Sequence, residues 1–112
     1  MLPKENRLIL KSDFDQVKNR GEKWQSNFFG LLVYPTNNQF SRFGFLISTR
    51  LSKRAVKRNR ARRRLRQIIR ELLPQINPGF DIVFLGKKAL LETSQKELEL
   101  EIERVFRKAR LK

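Results

Sequence analysis

Ten of the seventeen residues from Arg50 to Arg66 are lysine or arginine, and none is acidic. The cations stand at 50, 53, 54, 57, 58, 60, 62, 63, 64 and 66. Between Asp15 and Glu71 the one carboxylate is Glu22. Such a run repels itself, and a polyanion is the partner that relieves the repulsion. A solvated helix face is the plain alternative, but solvated faces usually mix signs at i,i+4, and this one does not. Arginine predominates, and its guanidinium group grips phosphate through paired hydrogen bonds and stacks on bases. The chemistry implied is phosphate contact rather than bond breaking. The chain has no histidine and no cysteine. It therefore lacks the commonest general base, the commonest metal ligand, and any thiolate zinc site or disulfide framework. No catalytic residue and no metal ligand is assigned.

A helix must carry these cations. Ala61, Leu65, Ile68, Ile69 and Leu72 recur at i, i+4, i+7, i+8 and i+11, which is one helical face. At 100° per residue, Asn59, Arg63, Arg66 and Arg70 fall on one flank of that stripe, and Arg60 and Arg64 on the other. Arg58 and Arg62 fall near the stripe, in the first turns, where it is thin. The helix is expected from Lys53 or Ala55 to Leu73, with Ser52 as a cap. Its second half would bury; its first half would present guanidinium groups.

The remaining chain supplies a core to hold this helix. Its 112 residues suit one domain, 1–112, and its net charge is +15. A hydrophobic fraction of 39% with nine phenylalanines argues against a disordered basic tail. No apolar run approaches the roughly 20 residues of a membrane span, and the start lacks the apolar core of a signal peptide. A cytoplasmic location is expected. Met1 to Lys11 reads as an extended basic arm. Ser12 reads as the cap of a short helix with Phe14 and Val17 inward and Gly21 at its end.

Trp24 to Tyr34 reads as one strand and Phe40 to Ser48 as a second, paired with the first as a hairpin. Phe43, Phe45 and Ile47 would share one face of the second strand. Pro74, Pro78 and Gly79 end the basic helix, and Phe80 to Leu85 is a third strand. Ser94 and Glu97 have capping-box spacing before a last helix buried through Leu98, Ile102, Val105, Phe106 and Ala109. Its glutamates, 97, 99, 101 and 103, read as a solvated face that balances the basic helix. The order is αββαβα, an α+β fold in which a small mixed sheet carries helices on one face. Two long helices cover that face. The other has only the Phe14–Val17 helix, which leaves an apolar groove beside basic walls, a setting suited to single-stranded nucleic acid.

The run SKRAVKRNRARRRLR resembles the signature of the bacterial ribonuclease P protein subunit. The matching positions are Ser52, Lys53, Ala55, Val56, Arg58, Asn59, Arg60, Arg63 and Arg66. The opening LPKENRL, the Phe14, Val17 and Gly21 pattern, and FDIVFLGKK extend the resemblance over nearly the whole chain. It implies an α/β sandwich with a left-handed βαβ crossover through the basic helix. It implies a role in removing the 5′ leader of precursor tRNA, with the catalytic RNA and its Mg²⁺ carrying the chemistry. The protein would be an accessory subunit that binds both RNAs and needs no obligate protein partner. By position, Lys53, Arg54, Lys57, Arg58, Asn59, Arg60, Arg62, Arg63 and Arg66 would contact RNA. Phe14, Val17, Lys18, Ile82 and Phe84 would line the leader groove. Lys18 departs from the family, which usually has an aromatic residue there. A ribosomal or assembly protein shares the composition but not this signature. The missing histidine argues against an independent nuclease, and a DNA-binding reading is disfavoured because the basic helix is followed by a strand, not by another helix or a zipper.

Overall fold

The computed structural model describes residues 2–112. After a short arm, α1 spans Lys11–Arg20, and β1 (Glu22–Gln25), β2 (Phe29–Pro35) and β3 (Arg42–Leu46) follow. The basic helix α2 is Ala55–Leu72; β4 (Phe80–Gly86) and α3 (Gln95–Lys108) complete the chain. The α+β class holds, with three helices on a four-stranded mixed sheet of order β1-β2-β4-β3.

Two expectations about the strands change. The stretch from Trp24 to Tyr34 is two strands, because a tight turn breaks it. Ser26 N–H donates to the Phe29 carbonyl at 2.9 Å, and Ser26 Oγ accepts from Phe28 N–H. The hairpin is therefore β1–β2, and β2 does not pair with β3. Instead β4 lies between them, antiparallel to β2 and parallel to β3. Residues 81–84 of β4 are buried throughout, and a strand buried on both faces belongs at the centre of a sheet. The link β3–α2–β4 is a parallel crossover.

Strand alternation sorts the side chains into two cores. Phe29, Leu31, Val33, Phe43, Ile82 and Phe84 face α2 and α3 in the larger one. Leu32 and Val83 meet Val17 of α1 and Leu8 of the arm on the opposite face, with Phe14, Tyr34, Leu46 and Leu85 partly buried around them. So two helices share one face, while α1 lies on the other. The five residues of the expected α2 stripe are its five buried residues. The Ser94 cap forms, with Ser94 Oγ accepting from Glu97 N–H at 3.1 Å. Ser12 is not a cap: α1 begins one residue earlier, and Leu10 stands at its N-cap with no side-chain bond. Gly21 does end α1, because a Cβ there would come within 2.4 Å of the Val17 carbonyl oxygen.

One buried charge is held across the β3–β4 pair. Asp81 has a side-chain exposure of 1% and accepts from Arg42 Nε at 2.9 Å and Nη2 at 2.6 Å. Asp13 of α1 pairs with the same guanidinium at 3.3 Å. The hydrogen bonds that Arg42 donates to Asp81 are the main cause that raises the Arg42 pKa above its ordinary value; burial opposes them.

Removing either kind of support should show in the melting curve. Leu65, with no exposure, should cost about 2–5 kcal/mol as Leu65→Ala, read by urea denaturation. Arg42→Met strands the Asp81 carboxylate and should cost about 3 kcal/mol at neutral pH. An unchanged midpoint for Leu65→Ala would contradict the buried face assigned to α2.

Candidate nucleic-acid interface

The cations of α2 separate into anchored and free groups. Arg58 Nη1 donates to the Ser52 carbonyl at 2.8 Å. Arg62 Nη2 donates to the Ile47 carbonyl at 3.3 Å, and its Nη1 to Asn59 Oδ1 at 3.1 Å. These two arginines tie the β3–α2 loop to the first turns of the helix, where the apolar stripe is thin. Ser52 supports the same loop by accepting from Arg54 N–H. Arg64 crosses to α3, donating to the Thr93 carbonyl at 2.5 Å and to Gln95 Oε1 at 3.1 Å. Burial is the main cause lowering the Arg62 and Arg64 pKa values, with neighbouring arginines adding to it.

Among the described residues, the exposed side chains of Lys53, Arg54, Lys57, Arg60, Arg63 and Arg70 form no hydrogen bond or ion pair within the protein. They remain available to an external anion. Asn59, Arg62, Arg63, Arg66, Gln67 and Arg70 line a groove of about 820 Å³ along one flank of α2. Gln67 and Arg70 were not among the expected contacts. The i, i+4, i+7 spacing of Arg63, Gln67 and Arg70 was the signal that could have found them.

Arg66 borders this groove and a second hollow as well. Its guanidinium carbon lies 5.8 Å from the centroid of the Phe45 ring. That ring stacks on Phe84, with centroids 5.5 Å apart and planes at 19°. Beside Arg66 a pocket of about 230 Å³ opens, lined by Leu2, Arg7, Leu8, Ile9, Phe14, Phe43, Gly44, Phe45 and Arg66.

The five residues expected in a leader groove do not share one surface. Phe14 is half-buried and lines the pocket; Val17 is fully buried beneath α1; Lys18 is exposed. Ile82 and Phe84 have no exposure and lie under α2 and α3, so they build the core and not the groove. Strand parity is the reason: side chains alternate, and 82 and 84 share the face of 43 rather than that of Val17. Phe43 and Phe45, not assigned to a groove from the sequence, are the strand aromatics that line the pocket, and Phe45 is the less buried of the two.

Two of the four carboxylates of α3, Glu101 and Glu103, are engaged in structure. Glu101 accepts from Ser26 Oγ at 2.9 Å and from Arg104, whose hydrogen bond is the main cause lowering the Glu101 pKa. Glu103 pairs with Lys112 at 3.3 Å. Among the described residues, no three carboxylates come together to hold a metal ion. Nor is any helix long and apolar enough to cross a membrane.

Comparison with known proteins places this geometry in context. A family model described as Ribonuclease P matches residues 2–110. The ribonuclease P protein component of a Pseudanabaena strain is 33% identical over 112 residues, covering 99% of this chain and 97% of that one. The RNase P protein of Thermotoga maritima superposes with a TM-score of 0.81 at 26% identity, over 90% of this chain and 96% of the other. The RNase P protein of Staphylococcus aureus has the same fold, with a TM-score of 0.85 at 20% identity, over 95% and 96% of the two chains.

The split between free and anchored cations makes a distinct expectation. Arg60→Ala and Arg63→Ala should each weaken RNA binding by about 1–3 kcal/mol and leave the melting temperature in place. Arg62→Ala should lower both, because the β3–α2 loop loses its tie. Filter binding and thermal melting on the three variants check the contrast; equal melting loss in all three would overturn it.

Proposed function

The chain belongs to the ribonuclease P protein family, and from that membership we propose how it does its work. It is the protein component of the ribonuclease P ribonucleoprotein, an endoribonuclease of tRNA 5′ processing, in which the protein is an accessory subunit. Its partners are the RNA subunit and precursor tRNA. In our reading the free cations of α2 neutralise phosphates where these two RNAs approach each other. Arg60 and Lys57, on one flank, and Arg63, Arg66 and Arg70, on the other, give the helix two charged sides. One protein element can therefore screen two backbones at once. The 5′ leader, which is single-stranded, passes beside Arg66, where a phosphate-binding row meets an aromatic wall.

The observation that carries this reading is the row of exposed, unpaired cations leading to Phe45 and Arg66. Cation next to ring suits a strand whose phosphates and bases are both exposed. The protein's own donor set does not suit a metal: its engaged carboxylates hold the β1–β2 turn, the C-terminus and Arg42. Magnesium, in this proposal, is bound mainly by the RNA subunit, and no step is routed through the protein. The protein supplies binding, screening and orientation. A cytoplasmic setting, where precursor tRNA is processed in bacteria, goes with this reading.

Reconstitution tests it. The purified chain is mixed with a bacterial ribonuclease P RNA and a precursor tRNA at low and moderate Mg²⁺, beside RNA alone and protein alone. Leader cleavage should be restored at low Mg²⁺ only when both components are present, and protein alone should cut nothing. RNA affinity should fall with salt by a log–log slope of about −0.7 to −0.9 per phosphate contact. Binding without any gain in cleavage would point to a general RNA-binding role, and cleavage by protein alone would refute the accessory assignment.

A further inference from the structure

We infer that the end of α3 and the turn after it carry a second phosphate-binding surface, formed by Arg107, Lys108 and Arg110, which grips the backbone of the RNA subunit at a point separate from α2. The inference rests on the preceding reading, that the RNA subunit is a partner, and adds a second point of attachment.

The charge of α3 is divided along its length. Glu97, Glu99, Glu101 and Glu103 stand in its first part, with Lys96 as the one cation among them. From Arg104 to Lys112, five of nine residues are cations and none is acidic. Two of the five serve the fold. Arg104 pairs with Glu101, and Lys112 donates to Gln75 Oε1 at 2.7 Å and to Glu103 at 3.3 Å. The other three are exposed and, among the described residues, their side chains meet no hydrogen-bond or ion-pair partner. A helix dipole favours cations in the last turn, and that alone accounts for Arg107 and Lys108.

It does not account for Arg110, which lies beyond the helix. Its φ is 60°, and among the described residues it is the one non-glycine residue with positive φ. The turn is a Schellman motif. Leu111 N–H donates to the Phe106 carbonyl at 2.8 Å, and Arg110 N–H to the Arg107 carbonyl at 3.1 Å. Glycine is the usual residue at the position of Arg110, because a Cβ is crowded in the left-handed conformation. The backbone favours glycine, and the sequence has a long cation instead. An arginine kept in a strained conformation points to a task for its side chain.

The fold holds that side chain in place. Leu111 is fully buried in the larger core. Asn77 N–H donates to the Leu111 carbonyl at 2.7 Å, and Asn77 Nδ2 to the Arg110 carbonyl at 3.2 Å. The turn is thereby fixed to the loop between α2 and β4. A turn already ordered contacts phosphate with little further loss of backbone freedom.

Position selects the RNA. α3 packs along the flank of α2 that bears Arg64, whereas the groove is lined from the flank of Arg63, Arg66 and Arg70. The two helices run in the same direction, since Arg64 meets the start of α3 and Asn77, past the end of α2, meets the turn. At 1.5 Å per residue the turn lies roughly 20 Å along the axis from Arg60. That exceeds the Debye length of about 8 Å at physiological salt, so the two surfaces act as separate contacts. Phe106, the one aromatic residue of α3, is fully buried, and the surface offers no ring to an unstacked base. The phosphates of a base-paired segment are the ligand it fits, on the side away from the leader.

The test compares Arg110→Gly, Arg110→Lys and the parent chain by thermal melting, by filter binding to the RNA subunit over a series of salt concentrations, and by cleavage at low Mg²⁺ in the reconstituted ribonucleoprotein. Arg110→Gly should melt at or above the parental temperature, because the strain is gone. It should nevertheless bind the RNA subunit roughly four- to six-fold more weakly near 0.15 M salt, the size of one phosphate contact, with a log–log slope shallower by about 0.7 to 0.9. A merely structural residue would not move stability and affinity in opposite directions. Arg110→Lys should keep the parental affinity and slope. Adding Arg107→Ala and Lys108→Ala to Arg110→Gly should flatten the slope further, and adding Arg63→Ala should multiply the loss. Precursor tRNA should bind the assembled Arg110→Gly particle like the parent. Parental affinity and slope for Arg110→Gly would overturn the contact and leave an acidic protein as the ligand to seek. A melting loss that matches the affinity loss would overturn it too, and a loss confined to precursor tRNA would overturn the assignment to the RNA subunit. Failure of the parent chain itself to bind the RNA subunit or to stimulate cleavage would instead overturn the subunit reading on which the surface depends.

Discussion

A helix with this density of like charge stays on its sheet because five apolar residues hold it there. Leu65, Ile68, Ile69 and Leu72 are buried to within a few per cent, with Ala61 beside them. Each large side chain contributes about 1.5–3 kcal/mol. The opposing repulsion is weaker per pair. Two exposed charges 4 Å apart repel by about 1 kcal/mol in water, and at physiological salt their reach is about 8 Å. Burial therefore wins wherever the stripe is continuous, which is the second half of α2. In the first half the stripe is thin, and there Arg58 and Arg62 take over by bonding the loop carbonyls of Ser52 and Ile47. Part of the charge of α2 is thus mechanical, and the rest is left for a partner.

Four carboxylates that could have neutralised that remainder are committed elsewhere. Asp81 and Asp13 converge on Arg42, Glu101 holds the β1–β2 turn through Ser26, and Glu103 holds Lys112. None of these pairs with a cation of α2. A sequence with a net charge of +15 could have scattered its acids among its bases and become an ordinary solvated surface. Here these four acids stabilise the fold, and ten bases stand within the seventeen residues from Arg50 to Arg66, an arrangement suited to a phosphate backbone.

How much of this was legible depended on period. The buried face of α2 and the Ser94 cap could be read directly, because a helix repeats every 3.6 residues and a cap is local chemistry. Strand pairing could not. Closeness in the chain favoured a β2–β3 hairpin, but β4 is buried on both faces and takes the place between them; which strand is most deeply buried is a property of the whole sheet. The turn at Ser26 to Phe28 lies between Trp24 and the apolar run that begins at Phe28, and its polar residues Gln25, Ser26 and Asn27 were the local signal for it. The site shows the same division. Free cations such as Arg60 and Arg63 were readable as a charged flank. Ile82 and Phe84 were misplaced because alternation says which strand residues share a face, but not which helix covers that face.

The location of the open pocket follows from how the sheet ends. Sheet edges expose unpaired backbone groups and are usually blunted. At one end, β1 is four residues long and carries Glu22 and Lys23, so it is short and charged. At the other, β3 is blunted by the arm, which pairs only at Phe43 and then turns into α1. Beyond that bridge the edge is neither charged nor covered by a further strand. What stands there is Phe45, backed by Phe84 and faced by Arg66, with Gly44 giving Phe14 room beside it. An edge left partly open beside the longest row of free cations is a poor choice for a protein that must only avoid aggregation. It is a good one for a protein whose partner is a single strand, because such a strand brings both the charge and the flat apolar faces that this edge lacks.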